Sequence, residues 1–165
     1  MTEIYRGRRL SVELNRFTLP DGTERERVVV KPGNAAAMLP IEDDHCYLLR
    51  QYRFAIGAWI YEAPAGTLEE GEDPIETARR EIIEECGLAA GEMIPRGFIY
   101  TTPGFSDERV YLFEARALSP SSAFSPDDDE QIEVVRVPLA DLPAMCRDGR
   151  ISDAKTIALA FRCLG

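Results

Sequence analysis

Alternation of apolar and polar side chains dominates the first third of the chain and predicts strands before any helix. Ser11 to Leu19 and Glu24 to Lys31 both alternate, and Pro20-Asp21-Gly22 lies between them, a pattern that predicts a β-hairpin. Ala35 to Ile41 is instead continuously apolar, as a strand covered on both faces requires. Glu42-Asp43-Asp44-His45 then reads as a turn and Cys46 to Tyr52 as the returning strand. The helical period first shows at Ile75, Ala78, Ile82 and Cys86. Asp73 is placed to cap that helix, Pro74 suits its first turn, Glu76 completes a capping box, and Gly87 stops it. Further strands are expected at 95–101, 109–117 and 131–137, and short helices at 139–147 and 153–163. Many strands and few helices in irregular order predict an α+β fold with helices packed on a mixed sheet, not a doubly wound one.

The length of 165 residues suits one domain with a core large enough to need no disulfide or structural metal. A net charge of −10 argues against nucleic acid or an anionic membrane as partner, because their phosphates would be repelled. A phosphate-bearing small molecule is compatible with that charge only if cations mediate. The longest apolar run is far too short to span a bilayer, and the N-terminus has no signal-peptide core. Cys46, Cys86, Cys146 and Cys163 show no CxxC spacing and read as reduced thiols of a cytoplasmic protein. His45 is the only histidine, so a mechanism needing two is excluded.

The chemistry concentrates between Gly66 and Leu88, where Glu69, Glu70, Glu72, Asp73, Glu76, Glu81, Glu84 and Glu85 face only Arg79 and Arg80. Glu81 and Glu85 stand one helical turn apart on one face, with Glu84 adjoining, and like charges so placed repel. Carboxylates clustered without His or Cys are hard ligands that select Mg²⁺ or Mn²⁺ over zinc. A solvated acidic helix face is the alternative on composition alone. The small residues Ala63-Pro64-Ala65-Gly66 read as a tight turn that would let a backbone carbonyl approach a metal. Arg80, one turn before Glu84, can pair with it, and Glu72 near the helix start can accept backbone N–H groups.

Gly66, Glu72, Arg80-Glu81-Ile82, Glu84-Glu85 and Gly87-Leu88 together resemble the Nudix hydrolase box, G-x5-E-x7-R-E-U-x-E-E-x-G-U with U aliphatic, and every fixed position is filled. The resemblance implies a Nudix-type α/β/α sandwich and metal-dependent hydrolysis of nucleoside diphosphates linked to another group. It implies that Glu81 and Glu85 are metal ligands, that Ala65 offers its carbonyl, and that Glu84 ligates or bridges a further ion. Arg80, Glu72 and Gly66 would support that array.

Tyr100 to Glu108, with Pro103 fifteen residues beyond Leu88, resembles the segment after the box in ADP-ribose pyrophosphatases. Arg50-Gln51-Tyr52-Arg53 and an N-terminal β arm (residues 1–34) preceding the main domain (35–165) extend the likeness. By that resemblance the substrate is ADP-ribose or another ADP-sugar, cleaved with Mg²⁺ to AMP and ribose 5-phosphate. Arg53 and Glu108 would contact it, an aromatic residue of the arm such as Phe17 would stack on adenine, and two arms would exchange contacts in a homodimer. GDP-mannose or another nucleotide-sugar is the alternative substrate, and a non-catalytic nucleotide-binding module the alternative class. The acidic run Asp127 to Glu130 lacks the glycine and terminal Glu of an EF-hand. It is either a solvated loop or, by the resemblance, the source of the general base, with Glu130 the match and Asp128 its substitute.

Overall fold

The computed structural model describes residues 1–122 and 131–165. Strands β1 (Thr2–Arg6), β2 (Ser11–Thr18) and β3 (Glu24–Lys31) form an antiparallel arm in that order. The hairpin expected around Asp21-Gly22 is present, closed by Leu19 N–H to Thr23 O at 2.9 Å, with Gly22 at φ 81°.

The main sheet is built from β4 (Ala35–Glu42), β5 (His45–Arg53), β8 (Leu88–Tyr100), β9 (Arg109–Pro120) and β10 (Ile132–Pro138), in the order β10-β5-β4-β9-β8. Two short strands join it at its centre, β6 (Ala58–Glu62) beside β5 and β7 (Ala65–Thr67) beside β4. The β4–β9 pair is parallel and the remaining pairs are antiparallel, so the sheet is mixed as expected.

Helix α1 (Pro74–Cys86) covers one face, and α2 (Leu142–Arg147) and α3 (Ala154–Leu164) cover the other. The apolar run of β4 explains how one strand serves both layers. Ala36 and Met38 point to α1, packing with Ala78, Ile82 and Phe113, while Ala37, Leu39 and Ile41 point to Leu142, Met145 and Leu159. Ile82 is completely buried, worth about 1.5–3 kcal/mol of apolar transfer. The result is the α+β, α/β/α sandwich with an antiparallel N-terminal arm.

Several local expectations change. Asp73 caps α1 through the N–H of Ile75 at 3.0 Å, but Glu76 does not close the capping box and lies 3.9 Å from Arg79. Gly87 ends the helix in the left-handed conformation, φ 66°, its N–H returning to Ile82 and Ile83. β8 begins directly after that glycine rather than at 95. Gly91 and Pro95 are poor strand formers, and the register shifts between Pro95 and Phe98, where Gly97 has φ 83°. Ala65-Gly66 is not a tight turn but the start of β7. All four cysteines are free, and burial pushes Cys46 up to about 12 and Cys163 to about 11, leaving both protonated at neutral pH.

Candidate active site

The alternation of β7 decides which way its backbone groups point. Met38 N–H donates to Pro64 O at 3.0 Å and Leu68 N–H to Asn34 O at 2.9 Å, so residues 64 and 68 face β4. In an antiparallel pair the intervening odd positions then face away. Accordingly Ala65 N–H donates to Glu85 Oε2 at 2.8 Å, and Thr67 O accepts from Arg80 Nη2 at 3.3 Å. The Ala65 carbonyl, on the same outward edge, is left directed away from β4.

On α1, Arg80 gathers the acids that would otherwise repel. Its Nη1 donates to Glu81 Oε1 at 2.6 Å and to Glu84 Oε2 at 3.0 Å, and its Nε and Nη2 reach Glu72 at 3.3 and 3.2 Å. Glu72 also accepts the Glu69 N–H at 2.9 Å. The Arg80 hydrogen bonds, aided by that amide, hold the Glu72 carboxyl at about 2, and the same acids, Glu72 first, raise the Arg80 pKa. Glu85 is buried at 6% exposure and is held by the Ala65 amide. Gly66 leaves a space that Glu81 fills: its missing side chain is where the Glu81 carboxylate lies.

These groups line one cleft of about 1230 Å³, which Ala65, Gly66, Arg80, Glu81, Glu84, Glu85, Arg53 and Glu108 share. Among the described site residues expected from the sequence, Glu72, which holds Arg80, and Phe17 do not line this cleft, and the others do. Glu130 and its substitute Asp128 lie outside the described residues. Glu108 accepts from Thr101 Oγ1 at 2.5 Å, and Arg53 grips Glu62 with Nε and Nη2 at 2.6 and 2.7 Å. Pro103 and Phe17 face a smaller cavity of about 340 Å³ between the arm and the 103–107 loop instead.

Sequence reasoning missed Arg8 and Arg9, from the turn between β1 and β2, and Lys155, Asp153 and Glu62. Lys155 contacts Glu62 and lies 3.1 Å from Asp153. Burial draws the Glu62 pKa up, but Arg53 and Lys155 outweigh it and hold the carboxyl below its usual range. Lys155 lies far along the chain from the box, in a helix whose apolar stripe gave no sign of a site. A third element pins the backbone here: Ala63 N–H donates to Thr156 Oγ1 at 2.6 Å, and Thr156 is completely buried.

The donor set fits a hard divalent cation. It consists of oxygen atoms only, from Glu81, Glu84, Glu85 and the outward Ala65 carbonyl, in a cleft with no His or Cys lining. Among the described residues no three such side chains yet converge as a finished cage. Arg80 occupies Glu81 and Glu84 in this state, so a cation would displace part of that contact.

The fold, the carboxylate helix and the box define a NUDIX protein, and the chain belongs to that family: the NUDIX domain matches residues 31–160. It is 36% identical over 156 residues to the ADP-ribose pyrophosphatase of Bacillus subtilis (strain 168), covering 93% of this chain and 84% of that protein. It is 34% identical to the methanol dehydrogenase activator of Bacillus methanolicus, covering 94% of this chain and 85% of that one. Among solved structures, an ADP compounds hydrolase superposes with a TM-score of 0.86 at 26% identity, over 98% of this chain and 88% of the other. As a NUDIX hydrolase the chain is an enzyme. Among the described residues no helix is long and apolar enough to cross a membrane.

Proposed function

We propose that the protein hydrolyses the diphosphate linkage of ADP-ribose and related ADP-sugars with Mg²⁺, giving AMP and, from ADP-ribose, ribose 5-phosphate. The observation that carries the reading is that Glu81, Glu84, Glu85 and Ala65 line the same cleft as Arg53. The names of the similar proteins support the substrate class.

Glu81, Glu85 and the Ala65 carbonyl would hold the first ion and Glu84 a further one, and Mn²⁺ would suit the same oxygens. Bound there, the cation would neutralise the diphosphate oxygens and make a bound water more acidic. Arg80, oriented by Glu72, keeps the carboxylates in register, and Gly66 keeps the Glu81 carboxylate close to the backbone. Arg53, held on Glu62 through Nε and Nη2, offers its remaining guanidinium N–H groups and charge to the diphosphate. Glu108, fixed by Thr101, accepts from a ribose hydroxyl. Glu130, or Asp128 in its place, takes the proton of the attacking water.

The arm, residues 1–34, pairs two copies into a homodimer. Its uncovered side chains Ile4, Tyr5, Phe17 and Val28 support this reading, being 57, 57, 43 and 47% exposed. Four free cysteines support a cytoplasmic location.

The test is turnover of ADP-ribose, GDP-mannose, NADH and diadenosine polyphosphates with Mg²⁺ and with Mn²⁺, products identified. ADP-ribose should give the highest kcat/KM, and Glu85→Gln should lower its turnover by about 100-fold or more. A variant keeping most of its turnover, or a preference for GDP-mannose, overturns the reading of site or substrate respectively.

A further inference from the structure

The row of alternating charges beside the carboxylate helix has a member that the box does not explain. Arg53 and Glu62 form a two-pronged pair, and Glu62, at the end of β6, is only 2% exposed. Such a pair is electrically neutral and by itself gives Arg53 little net pull on an anion. The Glu62 Oε2 that accepts from Arg53 Nη2 also takes the Lys155 ammonium, whose side chain is 13% exposed. Lys155 lies 3.1 Å from Asp153 Oδ1, while the other Asp153 oxygen caps α3 through Thr156 N–H at 2.9 Å and its hydroxyl at 2.6 Å. The row therefore reads Arg53, Glu62, Lys155, Asp153: cation, anion, cation, anion, all lining the cleft.

Lys155 also stands where a cation is locally unfavourable. It is the second residue of α3, at the end where the helix dipole is positive. A residue that breaks a local rule at a cleft points to a role in that cleft.

We propose that Lys155 is a positioning residue for diphosphate binding: by sharing the Glu62 carboxylate it leaves the Arg53 charge only partly cancelled and helps hold the Arg53–Glu62 pair in place along the cleft. The inference rests on the reading of this cleft as a diphosphate site. Without Lys155, Glu62 and Asp153 present two negative charges against Arg53 alone, next to Glu81, Glu84 and Glu85. A diphosphate would meet net repulsion in a partly buried setting where salt screens little.

The experiment compares wild type, Lys155→Met and Lys155→Arg. Three quantities are read: kcat and KM for ADP-ribose with Mg²⁺, the Kd of inorganic pyrophosphate with Mg²⁺ by calorimetry, and the urea midpoint. Lys155→Met should raise KM and the pyrophosphate Kd by about tenfold while kcat stays within about threefold, and Lys155→Arg should restore both. A purely structural lysine would lower the urea midpoint and leave KM unchanged. Should Lys155→Met fail to fold, Lys155→Gln, which can still donate to Glu62, replaces it with the same expected rise. An unchanged pyrophosphate Kd, no rescue by arginine, or no pyrophosphate binding by the wild type overturns the proposal. Absence of turnover on every nucleotide, with pyrophosphate binding still dependent on Lys155, overturns the assigned reaction and leaves the role of Lys155 standing.

Discussion

The Glu81 carboxylate rests against Gly66 where the side chain of any other residue would begin: a Cβ there would lie 1.8 Å from Oε1 and 1.9 Å from Cδ. Gly66 is not among the glycines with positive φ, so closeness and not backbone conformation demands it. The colliding group is the tip of a flexible side chain, so an alanine would move the carboxylate and spare the backbone.

Gly66→Ala should therefore separate activity from stability. We expect kcat for ADP-ribose to fall by about 100-fold while Tm shifts by no more than about 3 °C. Turnover and calorimetric melting read the two effects. Wild-type kcat would show that Glu81 does not act from its place over Gly66.

Thr156→Val should do the reverse in part. It removes the acceptor for the Ala63 amide inside the protein, which costs about 1–3 kcal/mol. The urea midpoint should drop accordingly, and kcat should fall because Ala63 precedes the Ala65 carbonyl by only two residues. An unchanged midpoint would mean that the amide finds another acceptor.

Glu72 makes a pH signature. Its carboxyl is lowered from 4.5 to about 2 by Arg80, so its folded-state pKa lies below its unfolded one. A depressed pKa contributes stability that is complete above the unfolded value and is lost as pH falls through the folded one. Glu72→Gln should thus melt below wild type at pH 7, and the gap should close between about pH 4.5 and 2. Melting curves across that range check it. A gap that stays constant would show that Arg80 does not set this carboxyl.

Light scattering should give a mass about twice 18.5 kDa, because the arm leaves apolar side chains uncovered. Tyr5→Asp should shift the mass toward that of one chain. A wild-type monomer would remove the arm from the substrate site of a second copy.

What could be read in the sequence followed from how local each signal is. α1 was legible because its cap, proline, apolar stripe and terminal glycine all lie within one short stretch. The two-sided burial of β4 showed in an unbroken apolar run. β6 and β7 escaped because strands of five and three residues carry too few alternations to register. In the site, the carboxylates and Arg80 were legible by spacing along one helix. Glu62, Asp153 and Lys155 were not, since the pairs joining Lys155 to Glu62 and Thr156 to Ala63 both span 93 positions and no local pattern encodes them. Phe17 lines the cavity between the arm and the loop that carries Pro103, apart from the carboxylate cleft of its own chain.

Arg80 touches Glu72, Glu81, Glu84 and the Thr67 carbonyl at once. The chain thus carries its own resident counter-ion, which keeps an acid-crowded helix tolerable without a dication. On the proposed function, loading with a dication would be a swap of contacts on an already folded chain and not a folding event. A chelating agent should silence turnover while leaving the melting curve nearly where it was.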